Sequence, residues 1–283
     1  MKIVLAKHIG FCGGVNRAME TALKTAKNSS SEQVYMLGHI VHNKDVVEKI
    51  SKAGVIVTDN IKKIKTGILI IRSHGATPEI FEKAKTQKLK VVDATCPIVA
   101  KAQNIAKRLK DEGYQVIVLG DRNHDEVKGI VGATKNTAIV VSKPKEVQSL
   151  KNLNKVGLIV QTTQNIKNFI NTASALLPIS SELRIYNTLC KIVDLRQKEA
   201  DLLAKKVDLV LVIGSFKSAN TKQLTTISKN TGVKTHQIER ASQLKKHWFN
   251  AIKKVGVVTG TSTPEWVIKD VVSELTKIGK GLE

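Results

Sequence analysis

Three cysteines stand out first: Cys12, Cys96 and Cys190. Each closes a short segment and precedes a stretch with helical spacing. A lone cysteine is usually a small buried hydrophobe. Three at matching places are different, because a helix N-terminus favours the thiolate, the metal-binding form. Three thiolates suit zinc with a fourth ligand or an iron–sulfur cluster, and they leave one metal position open for chemistry. No C-x-x-C occurs, so a zinc ribbon is excluded.

Four of the seven histidines, His39, His42, His74 and His124, follow apolar runs of strand length. Imidazole, hydroxyl and amide donors gathered at strand ends and helix starts suit an anion such as diphosphate. Ser218, Asn220, Thr221 and Ser262 add such donors. Glu126, beside His124, is placed to act as a general acid. Thr77-Pro78-Glu79 and Thr263-Pro264-Glu265 both read as helix starts, with a Thr cap and Pro in the first turn. There is no G-x-x-x-x-G-K-[ST], and Gly10, Gly13 and Gly14 do not form G-x-G-x-x-G. His124-Asp125-Glu126 has the H-x-E form of zinc deaminases, but no P-C-x-x-C follows.

The elements that hold these residues repeat. After each cysteine come a helix-like stretch and an apolar strand ending in Gly38, Gly120 or Gly214, spaced 26, 24 and 24 residues from the cysteine. A second strand then ends at Ser73-His74-Gly75, Gln161-Thr162-Thr163 or Gly260-Thr261-Ser262. Continuous apolar strands alternating with amphipathic helices predict α/β units with parallel sheets covered on both faces. Length alone, at about 150 residues per domain, suggests two domains. The repeat predicts three small α/β lobes instead, at 13–96, 97–190 and 191–283, the last completed by 1–12. In such lobes ligands bind beyond the carboxyl ends of strands, where the polar clusters lie.

Composition bounds the rest. The chain has 283 residues, 42% of them hydrophobic and 25% charged, which is ordinary globular composition. No apolar run approaches the ~18 residues of a membrane span. The start of the chain reads as a strand, not as a signal peptide. An odd cysteine count argues against a disulfide scaffold and for a reducing cytoplasm. The net charge of +22 comes mostly from lysine, with seven arginines and ten aromatic residues. Arginine and aromatic rings dominate nucleic-acid recognition, so no nucleic-acid partner is expected. The charge reads as a solvated surface, with steering of an anionic substrate or an acidic partner as the functional alternative.

The chain resembles the 4-hydroxy-3-methylbut-2-enyl diphosphate reductase family over essentially its whole length. The resemblance is carried by Gly10-Phe11-Cys12-Gly13-Gly14-Val15, Gly38-His39-Ile40-Val41-His42-Asn43, Arg72-Ser73-His74-Gly75, Asp93-Ala94-Thr95-Cys96-Pro97, Asn123-His124-Asp125-Glu126, Gln161-Thr162-Thr163, Asn187-Thr188-Leu189-Cys190 and Ser218-Ala219-Asn220. It implies a trefoil of three lobes around a 4Fe-4S cluster held by Cys12, Cys96 and Cys190. The unique iron would take the substrate's allylic alcohol oxygen. His42, His74, Ser218, Asn220 and Ser262 would bind the diphosphate. Glu126 would deliver protons, with His124 and Thr162 serving both the relay and substrate binding. Two electrons, from a ferredoxin- or flavodoxin-type donor, and two protons would expel the hydroxyl as water. The products would be isopentenyl and dimethylallyl diphosphates. Two positions depart from the family pattern: Ala219 stands where a second serine is usual, and Val193 where a small polar residue is usual.

Overall fold

A computed structural model of the chain describes residues 1–29, 31–151 and 153–281. Nine α-helices are assigned among them: α1 (Gly13–Asn28), α2 (Lys44–Lys52), α3 (Pro78–Thr86), α4 (Pro97–Asp111), α5 (Asp125–Ala133), α6 (Ile166–Leu176), α7 (Lys191–Ala204), α8 (Ala219–Asn230) and α9 (Glu265–Lys280). The strands form three four-stranded sheets, and every pairing is parallel.

β1 (Lys2–Leu5) is followed by β2 (Val34–Leu37), β3 (Val55–Thr58), β4 (Ile68–Ile71) and β5 (Lys90–Asp93), and the last four make a sheet of order β3-β2-β4-β5. β6 (Gln115–Leu119), β7 (Ile139–Val141), β8 (Leu153–Val160) and β9 (Ser180–Ile185) repeat it as β7-β6-β8-β9. β10 (Leu209–Ile213), β11 (Lys234–Ile238) and β12 (Lys254–Thr259) make the third, β1-β12-β10-β11, with β1 as its edge strand. The α/β class and three parallel sheets agree with the sequence pattern.

The central strands β4 and β10 are apolar and buried throughout, and β6 is so after Gln115, because both faces are covered. Val116 and Val118 of β6 face one hydrophobic cluster with α4 and α5, while Ile117 and Leu119 face another with α6. β10 divides likewise, Leu209, Leu211 and Ile213 to one side and Val210 and Val212 to the other. Parallel strands covered on both sides have no polar face to present. None of the described helices is long and apolar enough to cross a membrane.

The chain divides into two compact units. One comprises residues 14–41 and 45–190 and holds the first two sheets; the other comprises residues 1–13, 42–44 and 191–283 and holds the third.

One expected helix start is corrected. Thr77 stands at the N-cap position of α3, with Pro78 in the first turn, as the sequence suggests, although its side chain makes no cap hydrogen bond. At the matching place α9 begins at Glu265 with Pro264 as its cap, one residue later than expected. The Thr263 hydroxyl instead donates to the Ile213 carbonyl at 2.9 Å. A buried hydroxyl that finds a strand-end acceptor does not serve as a cap.

Candidate active site

None of the three cysteines is in a disulfide, and each immediately precedes a helix: Cys12 before α1, Cys96 as the cap of α4, and Cys190 before α7. Cys190 is buried; the other two are partly exposed. No side-chain cap bond is made at Cys96.

The backbone repeats around them. The Cys12 N–H donates to the Thr261 carbonyl at 3.1 Å, that of Cys96 to Ser73 at 3.0 Å, and that of Cys190 to Thr162 at 2.9 Å. Each acceptor lies two residues beyond a central strand: β12, β4 and β8 in turn. The glycines repeat as well. Gly38, Gly120 and Gly214 donate to the last residues of β3, β7 and β11 at 2.8, 2.9 and 2.8 Å. Each thiol therefore hangs from a sheet end through a short rigid turn.

In the larger unit, direct contacts link two of the cysteines through the expected acid. Thr162, whose carbonyl takes the Cys190 N–H, donates its own N–H to Glu126 Oε1 at 2.6 Å and its hydroxyl to Oε2 at 2.9 Å. Glu126 lies in the first turn of α5, and His124 is the cap, its Nδ1 accepting the Glu126 N–H at 3.2 Å. That bond requires Nδ1 to be unprotonated. The His124 ring stands edge-on to His74, centroids 5.4 Å apart. Ser73, beside His74, accepts from Cys96 and donates its hydroxyl to the Ile40 carbonyl at 2.8 Å.

Glu126 is 1% exposed. Burial raises its pKa, the two bonds from Thr162 lower it, and burial prevails, placing it at about 7. A carboxyl of that pKa still holds its proton near neutrality, as a proton donor must.

In the smaller unit, a polar lining sits at the carboxyl ends of β10 and β12. Ser218 caps α8, its Oγ accepting the Thr221 N–H at 3.3 Å. That leaves the hydroxyl proton free to donate elsewhere. Asn220, Thr221 and Ser262 are 2, 0 and 5% exposed. Both amide atoms of Asn220, the Thr221 hydroxyl and the Ser262 hydroxyl have no hydrogen-bond partner among the described residues. A buried polar group left unsatisfied costs about 1–3 kcal/mol, so four together point to a polar ligand. His42 belongs to this unit and precedes α2. The loop leading to Cys12 is held by α7: Glu199 accepts from the His8 N–H at 3.0 Å, and Arg196 donates to the Ile9 carbonyl at 3.5 Å and to the Thr259 carbonyl at the end of β12 at 3.3 Å. Gly10 N–H donates to the Thr259 hydroxyl at 2.9 Å.

Of the two departures, Ala219 is the first residue of α8 and Val193 is buried in α7. Thr221 was named among the donors, whereas Gln161 was quoted only within a strand-end cluster and given no part. Gln161 is wholly buried and accepts the Asp121 N–H at 2.9 Å, which steadies the turn before α5. A polar residue directly after a buried strand was the available signal. Arg72 was quoted within a motif but given no part, since its partner Asp125 lies in another sheet's turn.

Residues 3–276 match the family described as LytB protein. The 4-hydroxy-3-methylbut-2-enyl diphosphate reductase of Citrifermentans bemidjiense is 44% identical over 281 residues, covering 99% of each chain. The protein of the same name from Geobacter sp. (strain M21) is 43% identical over 281 residues, again 99% of each. Among solved structures, the E-1-hydroxy-2-methyl-but-2-enyl-4-diphosphate reductase of Plasmodium falciparum aligns with a TM-score of 0.90 at 29% identity, over 97% of this chain and 88% of that one. A (E)-4-hydroxy-3-methyl-but-2-enyl diphosphate reductase described as the terminal enzyme of the non-mevalonate pathway aligns at 0.71 and 37% identity, over 98% of this chain and all of that one.

Proposed function

The chain belongs to the LytB protein family and is an oxidoreductase of non-mevalonate isoprenoid synthesis; from that premise we propose that it removes the hydroxyl of 4-hydroxy-3-methylbut-2-enyl diphosphate reductively, using a 4Fe-4S cluster on Cys12, Cys96 and Cys190. The carrying observation is Glu126, buried against Thr162 with its pKa at about 7 and linked by direct contacts to the segments of Cys96 and Cys190.

The donor set fits the cluster: three cysteines outside any disulfide, each at a helix start. When bound, such a cluster supplies electrons and the Lewis acidity of one open iron. The protein's own groups do the rest. Asn220, Ser262 and Ser218 donate to the diphosphate oxygens, with His42 and His74 as further donors. Thr162 orients the Glu126 carboxyl, and burial raises its pKa to about 7, so a protonated fraction is present near neutrality. Glu126 gives a proton to the departing hydroxyl, which leaves as water. His124 holds the first turn of α5 in place and returns protons to the acid. Two electrons and two protons enter, the C–O bond breaks, a C–H bond forms, and isopentenyl or dimethylallyl diphosphate results.

Three cysteines outside any disulfide go with a reducing cytoplasmic location. A ferredoxin- or flavodoxin-type donor goes with the net charge of +22, since acidic partners meet a basic surface faster. Reduction should then slow as salt rises.

The test is iron and acid-labile sulfide on protein purified without oxygen, followed by product analysis with a chemical reductant. About four of each per chain and formation of both products support the reading. Zinc, or no metal after anaerobic reconstitution, overturns it.

A further inference from the structure

The ion pair of Arg72 and Asp125 joins two turns of the site from different sheets. Arg72 follows β4 and immediately precedes Ser73 and His74; Asp125 opens α5 and immediately precedes Glu126. The Arg72 guanidinium lies 2.9 Å from Asp125 Oδ1, and both side chains are mostly shielded from water. Room for it is built in. Gly38 has φ +70, and a Cβ there would stand 2.6 Å from the guanidinium. A side chain at Gly38 would adopt a left-handed backbone and crowd the Arg72 guanidinium, which would have to shift. The carboxylate of Asp125 also sits at the N-terminus of α5, where the helix dipole favours it.

We propose that Arg72 is a positioning residue: through Asp125 it fixes the turn bearing His74 against the first turn of α5 bearing Glu126. The inference rests on the roles given to His74 and Glu126 above. Its basis is geometric. Partly exposed ion pairs add little to stability, whereas a small misplacement of a catalytic group is costly in rate. The pair should therefore matter more to turnover than to folding. Gln103 supports the same arrangement. Its amide nitrogen lies 2.7 Å from where a Cβ on Gly75 would stand, so α4 packs closely against the turn after His74.

The experiment compares Arg72→Met, Asp125→Asn, the double variant and Arg72→Lys with wild type. It measures kcat and KM, thermal midpoint, iron content, and the imidazole proton shifts of histidine-labelled protein. We expect each single variant to lose at least tenfold in kcat, with KM within threefold. The double variant should be no worse than the worse single, and Arg72→Lys should recover most of the loss. Thermal midpoint and iron content should stay near wild type. The edge-on rings of His74 and His124 should shift in the same direction in both single variants. Wild-type kcat in Arg72→Met, or losses that follow the thermal midpoint or iron content, overturns the proposal. If iron-loaded wild type makes no product, the reductase reading falls, and the imidazole shifts alone decide the pair: unchanged shifts overturn it, and parallel shifts uphold it.

Discussion

Thr162 donates to both oxygens of Glu126, through its backbone N–H at 2.6 Å and its hydroxyl at 2.9 Å. Two donors to one carboxylate ordinarily lower its pKa. Here burial outweighs them and the pKa stands at about 7. The arrangement fixes the direction of the acid without making it a permanent anion.

Glu126→Gln should keep the site intact and stop its chemistry. The amide oxygen can accept the Thr162 N–H, and its NH2 can donate to the Thr162 hydroxyl oxygen. Iron content and affinity for inorganic diphosphate should match wild type, while turnover falls roughly 10²-fold or more, the scale of general acid catalysis. Wild-type turnover in this variant would remove Glu126 as the proton donor.

The same group gives a pH signature. Turnover needs the protonated carboxyl, so it should decline as pH rises through about 7. Stability should move the same way. The folded state keeps the proton up to about 7, while the unfolded chain releases it near 4.5. Between those values the folded state binds more protons, so stability falls as pH rises and is level above about 7. The span corresponds to about 3 kcal/mol. Urea unfolding at pH 5 and pH 8 checks it: wild type should lose more stability between them than Glu126→Gln does. Equal losses would contradict the raised pKa.

Thr221→Val should separate binding from stability. Valine keeps the shape and removes a buried hydroxyl that has no partner among the described residues. The ligand-free protein should gain about 1 kcal/mol, seen as a higher midpoint in urea. Affinity for inorganic diphosphate should fall about tenfold, the same interaction read from the other side. A loss of stability with unchanged affinity would make the hydroxyl purely structural.

Each cysteine should be needed for metal loading and dispensable for folding. Cys12→Ala, Cys96→Ala and Cys190→Ala should each retain the far-ultraviolet spectrum of wild type. Bound iron should fall from about four to below one per chain after anaerobic reconstitution. Full loading in any one of them would show that its thiol is not a ligand.

Much of this was legible in the sequence for local reasons. Val210 and Val212 alternate with Leu209, Leu211 and Ile213, yet all five are apolar because both faces of β10 are covered. That run declares a parallel strand. Cys96 before Pro97 declares a helix start, because proline fits the first turn. What stayed hidden depends on partners distant in sequence. Thr263 looked like a cap until the Ile213 carbonyl took its hydroxyl. Arg72 had no visible role until the turn before α5 brought Asp125 within 2.9 Å. The raised pKa of Glu126 follows from burial, which a glutamate at a helix start does not announce.

The pairing of β1 with β12 orders events in time. Lys2 pairs with Lys254 and Leu5 with Val257, so the strand leading to Cys12 has no neighbour until nearly the whole chain exists. The carbonyl of Thr261 that takes the Cys12 N–H comes later still. Contacts of such long sequence separation form late. During synthesis the segments of Cys96 and Cys190 can settle on their own sheets while Cys12 waits for the final strand. A nascent chain that has not yet reached β12 therefore presents Cys12 on an unpaired segment, and any metal centre that needs all three thiols could be assembled only after β12 and Thr261 are made.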